Sequence, residues 1–172
     1  MDKCIVLNAD LNDAEALCDI FLNHISAHKE YISHGEIQMG VGTGCFIDGK
    51  LVADVSADAR RCWMKYITGN LTEPDRAYVG KAVSESGDIK GFCVAEIQED
   101  GAEPFGMLCD LLVTEEYRGT GAGSALFESA IEWFHANEIK DIYLESGLNN
   151  HSAHEYFIRK GFVKVSEIYK LK

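Results

Sequence analysis

Apolar residues along the 172-residue chain switch between two spacings, and the switches mark the elements. "KCIVLN" (3–8) predicts a first strand. Asn12 with Glu15 three residues on has the form of a capping box. Leu17, Ile20, Phe21, His24, Ile25 and His28 then keep helical spacing to about residue 30. His24 and His28 suit packed or half-exposed helix positions rather than metal ligands, because no Cys or carboxylate accompanies them at metal-site spacing. In "GEIQMGVGTGCFIDGKLVADVS" (35–56) Gly40, Gly42 and Gly44 alternate, but no helical pattern follows them. Asp48-Gly49 between short apolar runs predicts a hairpin instead. "ARRCWMKYI" (59–67) predicts a short helix stopped by Gly69.

The second half repeats this logic with stronger signals. "RAYVGKAVS" (76–84) and "IKGFCVAEI" (89–97), joined by "ESGD", predict an antiparallel pair, and the almost wholly apolar "GMLCDLLV" (106–113) predicts a central strand. A long helix over 121–137 follows, with Ala122, Leu126, Ala130, Trp133 and Phe134 on one face. Strand "DIYLES" (141–146), a helix near 150–160 ended by Gly161, and a final strand pair around "FVKV" and "IYKL" complete the chain. Antiparallel strands first, then strand–helix–strand–helix, predict an α/β fold: one domain over residues 1–172, with a mixed, mostly antiparallel sheet flanked by helices.

Charge narrows the partners. There are 16 Lys and Arg against 28 Asp and Glu, a net −12, which argues against a nucleic-acid surface and suits a cationic partner. The cations crowd one end: Arg159, Lys160, Lys164, Lys170 and Lys172. Six scattered cysteines without CxxC spacing suggest reduced thiols in a cytoplasmic protein and no metal site. No stretch approaches 18 apolar residues or resembles a signal peptide, so neither a membrane span nor secretion is expected.

The candidate chemistry starts at "EEYRGTGAGSALFES" (115–129), where a strand runs through glycines into a helix. Unpaired N–H groups and the positive end of the helix dipole attract an anion there. A P-loop would need Lys-Ser/Thr after the last glycine, where Ser124-Ala125 stands. A dinucleotide fingerprint from Gly119 would need glycine at 124. The pattern Arg/Gln-x-x-Gly-x-Gly/Ala remains, met by Arg118, Gly121 and Gly123.

With "DLLVTEEYRGTGAGSALF" and "NHSAHEYFIRKGF", residues 75–165 resemble the GCN5-related N-acetyltransferases, which bind acetyl-CoA. The resemblance implies that the backbone of Leu111, Leu112 and Val113, at a bulge in the central strand, pairs with the pantetheine arm. It implies that the N–H groups of Gly119, Thr120, Gly121, Ala122, Gly123 and Ser124 hold the pyrophosphate, with Arg118 as the local positive charge. Residues 106–162 then form the acetyl-CoA core, and 30–75 the variable acceptor side. Asn150 reaches the pantetheine or caps the last helix; Ser152 with Glu155 has the form of a second capping box.

The implied reaction is direct attack of a primary amine on the acetyl thioester. Deprotonating an alkylammonium of pKa about 10.4 at pH 7 costs roughly 4–5 kcal/mol, so a carboxylate base is needed. Glu145, at the end of strand "DIYLE", is the first candidate and Asp110 the second. The family's usual acid, a tyrosine four residues before the Gly-Phe pair, is replaced by Phe157, which stays with the cofactor-contacting residues. Tyr156 beside it is turned about 100° around the helix and is the remaining candidate acid. A thiol of pKa about 8.5 is a tolerable leaving group without a donor. The acceptor expected from the charge is a small cationic amine, such as a polyamine or aminoglycoside. A peptide amine, or acyl-CoA binding without catalysis, is the alternative. An exposed edge near the end of the chain could support a homodimer.

Overall fold

In the computed structural model, which describes residues 4–48, 50–99 and 103–171, strand β1 (Ile5–Asn8) leads to α1 (Ala14–Ala27), α2 (His34–Met39), the hairpin β2 (Gly42–Ile47) and β3 (Lys50–Val55), and α3 (Ala59–Thr72). Strands β4 (Ala77–Val83), β5 (Ile89–Gln98) and β6 (Phe105–Val113) follow, then α4 (Ala122–Ala136), β7 (Ile142–Leu144) and α5 (His151–Arg159). The main sheet has the order β1-β4-β5-β6-β7, with β2 and β3 apart as a two-stranded sheet. All pairs are antiparallel except β6 with β7, which α4 connects as a crossover. The expected mixed sheet flanked by helices is what forms.

The sheet divides two apolar layers. Phe21 and Trp63, stacked 4.8 Å apart, pack from α1 and α3 onto Val79, Phe92, Val94 and Leu112. Leu126, Ala130 and Phe134 of α4 pack on the other face against Ala82, Cys93, Ala95 and Leu108. One register shift decides which residues of β6 face which layer. Val94 pairs with Asp110 but Ala95 pairs with Leu108, so Cys109 is the extra residue of a bulge. Leu108 therefore belongs to the α4 layer, while Cys109 and Leu112 belong to the α1–α3 layer.

Several local expectations are corrected. The capping box at the first helix is Asp10 with Asp13, not Asn12 with Glu15, and α1 stops at Ala27. Helix α3 runs through Gly69 to Thr72: the buried anchors Trp63 and Ile67 outweigh the roughly 1 kcal/mol that a mid-helix glycine costs. The six residues of α2, capped by Ser33 with Glu36, carried no helical forecast. The hairpin forms as expected, although Gly49 of its turn lies outside the described residues. Residues 162–171 form no strand. The bulge lies at Cys109, two residues before the Leu111–Val113 segment where it was expected.

Candidate active site

Strand β7 pairs with β6 only at Gly106–Leu108, so the two strands part at the bulge and the rest of β6 has an open side. Thr114 N–H donates to Lys90 O of β5 at 2.9 Å, which fixes the alternation. Leu112 turns its backbone groups to β5, and Leu111 and Val113 turn theirs to the open side. Arg118 Nε accordingly donates to Val113 O, at 3.2 Å.

The glycine loop continues from that strand. Gly119 and Gly121 have φ of +74° and +96°, a region disfavoured for side-chain-bearing residues, and Gly121 is the residue that starts α4. A Cβ added to either would meet nothing within 4 Å, so the space over them is open. Gly123 differs: it is helical, and a Cβ there would rest 3.5 Å from Val113 Cγ2 in ordinary contact. Thr120 turns its hydroxyl back to Tyr117 O at 2.7 Å, bracing the loop. Ala125 N–H is the donor that closes the first turn of α4, onto Gly121 O, so the N–H groups of Ala122, Gly123 and Ser124 stand ahead of the helical ladder. This is a helix N-terminus with free approach, which fits a diphosphate.

Arg118 is tied down rather than free. Besides Val113 O, it meets His24 Nδ1 at 3.4 Å and Glu115 at 3.8 Å. Burial, and then the Arg118 charge, push the His24 pKa down to about 4, so a neutral imidazole faces the guanidinium. His28 stacks on Tyr31 with centroids 4.9 Å apart and reaches Glu115 at 2.9 Å. The two histidines, taken from the sequence as packed helix positions, also link the end of α1 to the glycine loop.

Carboxylates gather on the other side of the opening. Asp110 accepts a hydrogen bond from Tyr66 Oη of α3 at 2.8 Å. Burial raises its pKa to about 7, with Glu36 and Glu96 adding to the rise and the Tyr66 bond opposing it. Burial likewise raises Glu36, against its bonds to Ser33, and Glu145 contributes to that rise. Glu145 accepts from Gly35 N–H of α2 at 3.0 Å and lies 3.7 Å from His34 Nδ1. Both sequence candidates for the base thus belong to one acidic cluster, which Glu36 joins. Tyr66 and Glu36 were missed, since nothing in their local sequence distinguishes them from ordinary helix residues. A backbone contact closes the cluster: a Cβ on Gly147 would lie 2.3 Å from Tyr31 O, so only glycine lets the loop after β7 meet the segment before α2.

Helix α5 positions the remaining candidates. Asn150 caps it, accepting from Ala153 N–H at 3.3 Å. Ser152 donates to Asn150 Oδ1 at 3.3 Å, and Glu155 pairs with Arg159, so the expected Ser152–Glu155 capping box does not form. Phe157 packs against Phe162 with centroids 5.8 Å apart, on the α4 core. Tyr156 Oη donates to Gly123 O at 3.4 Å, which places its hydroxyl at the first turn of α4. Among the described residues, no group of three or more His, Cys, Asp or Glu is placed to hold a metal ion, and no helix is long and apolar enough to cross a membrane.

The tetramutant of the BH1408 protein from Bacillus halodurans has a similar structure, with a TM-score of 0.74 at 18% identity over 98% of this chain and 99% of that one. An aminoglycoside N-acetyltransferase, AAC(6')-Iy in complex with CoA, gives 0.67 at 12% identity, over 100% of this chain and 95% of that one. The aminoglycoside 6'-N-acetyltransferase AAC(6')-IG from Acinetobacter haemolyticus gives 0.66 at 14%, over 98% and 97%. At these identities the likeness is one of fold. No curated protein sequence matches. The sequence profile described as the acetyltransferase (GNAT) family covers residues 44–162, from the hairpin through the glycine loop to α5. The chain belongs to the GNAT family of N-acetyltransferases.

Proposed function

We propose that the chain transfers the acetyl group of acetyl-CoA to a primary amine of a small cationic molecule, by direct attack. The observation that carries this is the gathering of Glu36, Asp110 and Glu145 from α2, β6 and the end of β7 beside the open edge of β6. Acetyl-CoA supplies the activated thioester. The backbone of Leu111 and Val113 holds its pantetheine, and the N–H groups from Gly119 to Ser124 hold its diphosphate. Glu145, the more accessible carboxylate at 40% side-chain exposure, meets the incoming ammonium. Asp110 takes the proton: a base held near pH 7 combines adequate basicity with the unprotonated form. This reverses the order in which the sequence ranked the two. Tyr156 lies beside the diphosphate end of the site, and the thiolate leaves without an obligatory donor. Two of the similar structures are named aminoglycoside acetyltransferases, which supports a small polyamine-like acceptor over a peptide.

The test is thiol release from acetyl-CoA against a panel of spermidine, an aminoglycoside, a lysine peptide, a monoamine and acidic amino acids. Polycations should give the lowest KM. That KM should rise with salt more steeply than a monoamine's, as the Debye length falls from about 10 Å at 0.1 M to about 3 Å at 1 M. Better turnover of neutral or acidic amines would refute the acceptor class. CoA binding without thiol release for any amine would establish a binding module instead, with Phe157 as its mark.

A further inference from the structure

One carbonyl of the site has two claimants. Val113 O faces the open side of β6, where an extended ligand would pair with it as a neighbouring strand does, and Arg118 Nε donates to it at 3.2 Å. Neighbouring strands lie about 4.8 Å apart, so a guanidinium within hydrogen-bond reach of that edge stands where the ligand's own amides would lie. The side chain is also held at its far end. One terminal nitrogen meets His24 Nδ1 at 3.4 Å, and the other lies 3.8 Å from Glu115, which His28 Nε2 reaches at 2.9 Å. Burial and the Arg118 charge keep the His24 ring neutral at pH 7, so its Nδ1 can accept a hydrogen bond from the guanidinium. Helix α1 thus supplies two histidines that help hold an arginine against β6.

We propose that Arg118 selects the cofactor by exchanging partners: it rests on Val113 O until a diphosphate at the glycine loop takes the guanidinium, and only then leaves that carbonyl to the pantetheine. The proposal rests on the acetyl-CoA reading given above. Arg118 directly precedes Gly119 and its side chain is 45% exposed, so a change of rotamer turns it from the strand to the loop. The exchange favours a whole cofactor over half of one. A pantetheine thiol without a diphosphate has to break the Arg118 bond to Val113 O in order to make a similar one. CoA makes the same replacement, but it also gives the displaced guanidinium an anion, and hydrogen bonds between ionised groups are about twice as strong as neutral ones. Arg118 is therefore a specificity-determining residue. It discriminates against thioesters carried on pantetheine alone, or on a single phosphate as in the arm of a carrier protein.

The test compares the full chain with Arg118→Ala, titrating CoA by calorimetry and pantetheine by ligand-observed NMR. Pantetheine is uncharged, so the lost cation does not touch it except through Val113 O. It should bind Arg118→Ala about fivefold more tightly than the wild type, the worth of one exchanged hydrogen bond. The preference for CoA over pantetheine should fall by about tenfold or more, because the guanidinium no longer meets the diphosphate. Pantetheine that binds Arg118→Ala no more tightly than the wild type, while CoA still binds the wild type, would overturn the proposal and leave the acetyl-CoA reading standing. A preference for CoA that is unchanged in the variant would overturn it as well. Absence of CoA binding to the wild type would remove the reading and the proposal together. Should Arg118→Ala fail to fold, His24→Phe decides. It keeps the cation and removes one of its holders, so pantetheine should again bind more tightly, and failure to do so would overturn the exchange.

Discussion

From Gly119 to Ser124, the side of the site suited to an anion is six consecutive residues, and its working groups are backbone N–H. The side proposed for the amine takes Glu36 from α2, Tyr66 from α3, Asp110 from β6 and Glu145 from the end of β7. The first is robust because one turn conformation creates it; the second exists only when four elements are docked. An anion is met by dipoles that need no burial, whereas a base near neutrality has to be made by removing a carboxylate from water.

The sharpest way to break the contrast is Gly121→Val. A branched residue at φ +96° is strained, and its side chain fills the open space over the loop. Calorimetry should show at least a hundredfold loss of CoA affinity with the fold retained, and unchanged binding would remove the diphosphate from this loop. Next comes Asp110→Asn, which should lower turnover by about 10²–10³-fold at pH 7. It should also stabilise the protein, with a sign that can be worked out. The native Asp110 pKa of about 7 exceeds the unfolded value, so between about pH 4 and 7 the folded chain retains a proton that the unfolded chain has released. Wild-type stability therefore falls as pH rises through that window, and the asparagine variant should melt higher at pH 8 but not at pH 4. If Glu145→Gln abolishes the acidic limb of the rate profile while Asp110→Asn leaves it in place, the roles of the two are exchanged.

A smaller effect isolates a hydrogen bond. Tyr66→Phe removes the one contact that opposes the rise of Asp110, so the acidic limb should move to higher pH by about half a unit to one unit, with KM little changed. The smallest is Gly123→Ala, whose Cβ makes only an ordinary contact; CoA affinity should change less than threefold.

These differences track what could be inferred from sequence. The glycine loop, the helix behind it and the order of the sheet are local patterns, and Gly119 and Gly121 need positive φ whatever surrounds them. The partnership of Tyr66 with Asp110 spans 44 positions and depends on how α3 crosses the sheet, which no window of residues encodes. Short α2 escaped because six residues hold too few turns to show periodicity. The misplaced final strands have the opposite cause: alternation at 162–171 is real, but a strand forms only where another backbone receives it.

The extra residue at Cys109 works like a reading-frame shift within a strand. Residues 105–108 keep one phase with respect to the two faces of the sheet, and residues 110–113 keep the other. In a regular strand of the same length, Asp110 would fall on Leu108's face, toward α4 and away from Tyr66. The extra residue absorbs one step of the alternation, so Asp110 stays on the α1–α3 face although it stands two positions after Leu108. Deleting Cys109 would leave Asp110 directly after Leu108, on that same α1–α3 face, with the bend of the bulge removed. Inserting a residue elsewhere between Leu108 and Asp110 would carry the carboxylate to the α4 side, so the count of residues at this point of β6 constrains the site more sharply than the identity of the cysteine itself.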